Sequence, residues 1–141
     1  MTLTIRIAAV VFRNHDGDVL SVRKAGTDSF MMPGGKVEPG EHPLSTAVRE
    51  IAEELHLTLD PSRLEHLGRF IAPAANESGF TVDCDVFIWP NVLSELPQVF
   101  DEIAEACWVP VNSHAPWVAP LSRDVIFPRL RTAEAEAAGS R

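Results

Sequence analysis

Residues 34–57 read GGKVEPGEHPLSTAVREIAEELHL, a glycine turn that feeds a helix. From Pro43 to Leu55, Leu44, Ala47, Val48, Ile51 and Leu55 recur at three- and four-residue steps. That period predicts a helix over 43–55 with one stripe turned to a core. Glu50, Glu53 and Glu54 stand at i, i+3 and i+4, so their carboxylates leave the helix within one turn. Like charges at these spacings cost about 0.2–0.5 kcal/mol per pair, and only Arg49 lies beside them. A hard divalent cation turns such repulsion into coordination; the competing reading is a plain solvated acidic face. The segment upstream favours the cation. Gly34 and Gly35 let the backbone approach a ligand or metal closely, and Glu38-Pro39-Gly40 forms a turn. Pro43 suits the first helical position, and Glu41 lies near the positive end of the helix dipole.

In this stretch the chain resembles the Nudix hydrolases. Their signature runs Gly, five residues, Glu, seven residues, then Arg-Glu-U-x-Glu-Glu-x-Gly-U, with U a bulky apolar residue. Gly35, Glu41, Arg49, Glu50, Ile51, Glu53, Glu54 and Leu57 stand in register with it. One position departs, because the last glycine is His56. That glycine ends the helix in a left-handed conformation, which a histidine occupies at some cost. A strained or slightly shifted helix end is expected, with the metal site kept.

The 141 residues suit one domain. The expected division is a Nudix domain over 1–131 and a flexible tail over 132–141. A net charge of −8 argues against binding a nucleic acid polymer or an acidic membrane. It also requires a cation between this protein and any anionic substrate. Cys84 and Cys107 lack metal or redox spacing and read as reduced thiols. His15, His42, His56, His66 and His114 are scattered and read as surface or loop residues. No membrane-length apolar run is present, and a cytoplasmic location is expected.

Outward from the helix, Thr4–Phe12 reads as a buried strand, Asn14–Asp18 as a hairpin turn and Val19–Arg23 as the return strand. Leu64–Ala72 and the alternating Phe80–Trp89 read as further strands, and another ends at Pro110. Pro120–Arg131 reads as a second helix that Pro128 kinks or ends, and the Ala/Glu-rich tail is expected to fray. Strands flanked by two helices give an α/β class, a mixed sheet covered on both faces. The resemblance implies the same: a Nudix-type α/β/α sandwich.

The resemblance further implies cleavage of a diphosphate in a nucleoside triphosphate or other nucleotide derivative, by water attack at phosphorus with Mg²⁺ or Mn²⁺. Carried over by position, Glu53 and Glu54 are direct metal ligands, and Glu50 is a further ligand or orients the water. The carbonyl of Gly34 or Gly35 completes the coordination, and Arg49 holds the acids in place. Glu102, six residues before Trp108 as in MutT-like members, is the candidate fourth carboxylate, with Glu105 the runner-up. Glu50, Glu53 and Glu102 all stand as candidates for the general base. Arg23, Lys24 and Lys36 are candidates to face the phosphates, Arg23 first among them. Phe30 and its neighbours Met31 and Met32 read as core or as pocket lining. Ser122 aligns where MutT-like enzymes carry a base-reading Asn, and it lacks the paired donor and acceptor of an amide. The alternative is a Nudix-fold module that senses a nucleotide without turnover. A monomer or homodimer is expected.

Overall fold

Strand β1 (Leu3–Val11) is apolar along most of its length because both of its faces are covered. In the computed structural model, which describes residues 3–139, Ala9 and Val11 enter one core with Cys84, Val86, Ile126 and Phe127. Ala8, Val10 and Phe12 enter a second core with Ala47, Ile51 and Leu55. A fully buried aliphatic side chain of this kind contributes about 1.5–3 kcal/mol, so β1 anchors both layers.

Around it lie β2 (Val19–Lys24), β3 (Phe30–Met31), β4 (Gly34–Lys36), α1 (Pro43–Leu55), β5 (Glu65–Pro73), β6 (Phe80–Ile88), β7 (Ile103–Val109) and α2 (Phe127–Gly139). A four-stranded mixed sheet has the order β4-β1-β6-β5, with β1 parallel to β6 and the other pairs antiparallel. A second, antiparallel sheet has the order β3-β2-β7. The α/β class expected from the sequence is observed.

The hairpin expected between the first two strands is not formed as such. Asn14 builds the turn, its Oδ1 accepting from the N–H groups of Asp16 and Asp18 at 3.0 and 2.9 Å, with Gly17 at φ 81°. Beyond the Arg13↔Val19 bridge, β2 leaves β1 for the other sheet. The cause is occupancy: β4 and β6 already take both edges of β1.

Helix α1 has the bounds that its periodicity predicts. His42 caps its start, Nδ1 accepting from Leu44 N–H at 3.1 Å, and Pro43 follows at the first turn. His56 ends it at φ 53° and ψ 34°, with its N–H donating to Ala52 O, so the helix end is strained but not shifted. A left-handed non-glycine residue costs roughly 1–2 kcal/mol.

The second helix differs from expectation. Residues Leu121–Ile126 form a widened turn in which Phe127 N–H donates to Ser122 O, five residues back. An α-helix then continues through Pro128 to Gly139. Pro128 lacks an N–H and its ring conflicts with the carbonyl four residues earlier in α register; the widened turn removes that conflict. The segment expected to fray is therefore helical to Gly139, and residues 140 and 141 lie outside the described residues.

The alternating acids of β6 are paired on the face shared with α1. Asp83 takes both arms of Arg69 at 2.8 and 2.7 Å, and Asp85 lies between Arg6 and His66. Cys84 and Cys107 are free thiols, and burial pushes Cys84 up to about 12. Among the described residues no helix is long and apolar enough to cross a membrane.

Candidate active site

The site forms where α1 crosses the turn from Met32 into β4. Gly34 and Gly35 pair with Ala9 and Ala8 of β1, which sets their backbone directly under the acidic side of the helix. Gly34 N–H donates to Glu54 Oε1 at 3.0 Å. Gly35 presents no side chain because the Glu50 carboxyl fills that space; a Cβ there would lie 2.4 Å from Glu50 Cδ.

Glu54 is the unusual group. It is 1% exposed, and its Oε2 has no hydrogen-bond partner. Burial raises its carboxyl to about 8, against the pull of the Gly34 N–H, and the charges of Glu50 and Glu102 add to the rise. Glu50 is also raised, chiefly by burial, while Arg49 opposes the shift. Glu102 is thus close enough for its charge to act on both.

Arg49 organises the remaining acids. It donates to Glu41 through Nε and Nη2, both at 2.9 Å, to Glu50 Oε1 at 2.7 Å, and to Lys36 O at 3.1 Å. Glu53 stands 3.5 Å from it, half exposed. Glu41 also accepts from Thr46 Oγ1 at 2.6 Å, and Arg49 with Thr46 brings its carboxyl down to about 2. The Arg49 guanidinium is held still more firmly in its charged form. The bidentate Arg49–Glu41 pair therefore acts as a brace, turning Glu50 towards Gly35.

These donors fit a divalent cation. A buried carboxyl oxygen with no partner, beside the partly buried carboxyl of Glu50, is relieved either by holding a proton or by a cation placed between the two groups. Among the described residues no three acids or imidazoles already converge on one point.

A cleft of about 310 Å³ leads away from the glycine turn, lined by Lys24, Lys36, Met31, Met32 and the loop residues Asn76 and Glu77. It shares Ile7, Ala9, Met31, Met32 and Val82 with a smaller apolar recess of about 60 Å³. Ser122 lines that recess, 1% exposed, with its hydroxyl unpartnered.

A family model described as NUDIX domain matches residues 3–130. The chain belongs to the NUDIX domain family.

Among NUDIX relatives, an RNA pyrophosphohydrolase of Halorhodospira halophila is 44% identical over 48 residues, 34% of this chain and 26% of that protein. An 8-oxo-dGTP diphosphatase of Escherichia coli is 34% identical over 58 residues, 38% of this chain and 45% of its own length. The matched stretches thus span less than half of either curated relative. The MutT protein of Methanosarcina mazei has the same fold, with TM-score 0.75 and 22% identity over 94% of this chain and 96% of that one.

Of the residues singled out from the NUDIX signature, Glu50, Glu54, Arg49, Gly34 and Gly35 meet at one place, with Glu53 at its exposed rim. Glu102 ion-pairs with Lys24 at 3.2 Å, whereas Glu105 is held by Arg23 Nε at 2.9 Å across the β2–β7 pair. Arg23 also donates to Thr27 O, so its guanidinium is committed, and Lys24 and Lys36 line the cleft instead. Phe30 packs edge-on against Trp117, while Met31 and Met32 line the cleft. Sequence reasoning did not find Asn76 and Glu77. The loop composition of 74–79 was the available signal, since loops on a rigid scaffold carry function.

Proposed function

We propose that this chain hydrolyses a diphosphate linkage in a small nucleotide-type molecule, by attack of water at phosphorus. The observation that carries the reading is the unpartnered, buried Glu54 Oε2 beside Glu50. The signature match and the printed activities of the two curated relatives support it.

In this reading Glu54, Glu50 and Glu53 would hold Mg²⁺ or Mn²⁺, with the Gly34 or Gly35 carbonyl and Glu102 as further ligands. When bound there, such a cation would supply charge neutralisation and Lewis-acid polarisation of the phosphate. Arg49 keeps Glu41 and Glu50 fixed, so little reorganisation is needed during reaction. Lys24 and Lys36 offer positive charge on the cleft wall to the phosphates. Glu50, Glu53 and Glu102 are the groups able to take the proton of the attacking water. The nucleoside part occupies the cleft and its apolar recess, where the Ser122 hydroxyl meets it.

The test is turnover of nucleotides, nucleotide sugars, dinucleoside polyphosphates and NADH, with Mg²⁺ and with EDTA, reading released phosphate or pyrophosphate. EDTA-sensitive turnover of one class is the expected result. Ligand-induced thermal stabilisation with no turnover across the panel would replace this reading with the sensor.

Ser122→Ala separates pocket from scaffold. Removing an unsatisfied buried hydroxyl is expected to stabilise the free protein by about 1 kcal/mol. Loss of its contact with substrate is expected to raise KM about tenfold with kcat little changed. An unchanged KM for the best substrate would take Ser122 out of the pocket's function.

A further inference from the structure

His56 occupies a left-handed position that glycine would fill without strain, yet its ring has a definite use. It lies flat on Phe100, with ring centroids 3.4 Å apart and planes 5° from parallel. Phe100 N–H donates to Glu54 O at 2.9 Å, so the loop before β7 is fastened to the end of α1 by ring and backbone together. From there the chain turns sharply: Asp101 is left-handed at φ 57°, and Ile103 N–H closes the turn on Phe100 O at 3.1 Å. The residue delivered by this turn is Glu102. Its carbonyl accepts from Ala25 N–H at 2.9 Å, and its carboxylate pairs with Lys24. The turn is thus held at one side by the helix that carries Glu50 and Glu54, and at the other by the end of β2.

We propose that His56 is a positioning residue, whose stack on Phe100 fixes the 100–103 turn and presents Glu102 to the carboxylates of α1. This rests on the metal reading of the same site given above. A glycine in place of His56 relieves the backbone strain but leaves Phe100 fastened by a single hydrogen bond. An aromatic ring restores the clamp without the imidazole, because stacking on Phe100 is what holds the turn.

The test compares His56→Gly, His56→Phe, Glu102→Gln and the His56→Gly/Glu102→Gln double variant by three readouts. Amide hydrogen exchange at Phe100 and Ile103 reports the turn, titration with Mn²⁺ alone reports the carboxylates, and kcat and KM report catalysis. His56→Gly is expected to speed exchange at both amides, to weaken Mn²⁺ binding about tenfold, the usual scale for groups that orient ligands, and to lower kcat more than it raises KM. His56→Phe is expected to restore all three. In the Glu102→Gln background the glycine is expected to add less than about twofold, since both changes act through one group. Unaltered exchange and Mn²⁺ affinity in His56→Gly would overturn the proposal, as would a full glycine effect in the absence of the Glu102 carboxylate. Wild-type protein that binds no Mn²⁺ would overturn the metal reading and with it the role of Glu102. Altered exchange in His56→Gly would then identify that failure as separate from failure of the clamp.

Discussion

Glu54→Gln is expected to abolish most activity while making the metal-free protein more stable at alkaline pH. The amide keeps an oxygen for the Gly34 N–H, which now donates to Oε1, and removes the need to bury a charge. In the folded state the Glu54 carboxyl holds its proton up to about 8, against an ordinary value of 4.5. Between those values the folded protein binds more protons than the unfolded chain at this group. Stability from Glu54 therefore falls as pH rises through that window and is flat above it. The slope approaches about 1.4 kcal/mol per pH unit. In urea denaturation with EDTA, the advantage of Glu54→Gln over wild type is expected to be small near pH 5 and largest near pH 9. Saturating Mg²⁺ is expected to stabilise wild type at pH 8 and leave the variant unchanged. Turnover is expected to fall roughly a hundred- to a thousandfold. Parallel stability curves for the two proteins in EDTA would show that the Glu54 carboxyl is not held neutral by burial.

The two adjacent glycines are expected to fail in opposite ways. A Cβ on Gly34 would lie 2.1 Å from Ala8 O and 2.7 Å from Ala9 Cα, both backbone atoms of the central strand. Neither can move without breaking the sheet, so Gly34→Ala is expected to lose about 3 kcal/mol or more of stability. A Cβ on Gly35 meets only the Glu50 carboxyl, at 2.4–2.7 Å, and a side chain can swing away. Gly35→Ala is expected to keep its fold, with Tm changed by a few degrees at most. Its kcat is expected to fall about 10–100-fold, because the displaced Glu50 leaves its contact with Arg49. Equal Tm losses in the two variants would remove the distinction.

Local signals carried the first half of the fold. The bounds of α1 were legible because a three- and four-residue stripe, a proline at the first turn and a fixed signature coincide. The division of labour between Glu53 and Glu54 was half legible: Glu54 stands three residues after Ile51 and seven after Ala47, on the buried stripe. Periodicity ranks that position as core-facing, but the Gly34 N–H that receives it comes from twenty residues away in the chain. The separation into two sheets was not legible, because β1 pairs with a strand in the second half of the sequence. The status of Arg23 was hidden for the same reason, since its partner Glu105 faces it only through the β2–β7 register. Pro128 misled because a local rule for α-helices was applied where the preceding turn is wider.

The placement of β1 has a consequence for synthesis. Its pairing runs from Leu3↔Phe80 to Val11↔Ile88, so its parallel neighbour does not exist until most of the chain has left the ribosome. At about 5–20 residues per second that delay lasts roughly 4–16 s. Throughout it an apolar strand has one edge open and both faces incompletely covered, the condition under which nascent chains associate with one another. Arg6, the one charge within β1, later pairs with Asp85 of that missing neighbour. Before β6 emerges, its unpaired guanidinium keeps a full charge in the middle of the open strand and opposes edge-to-edge association.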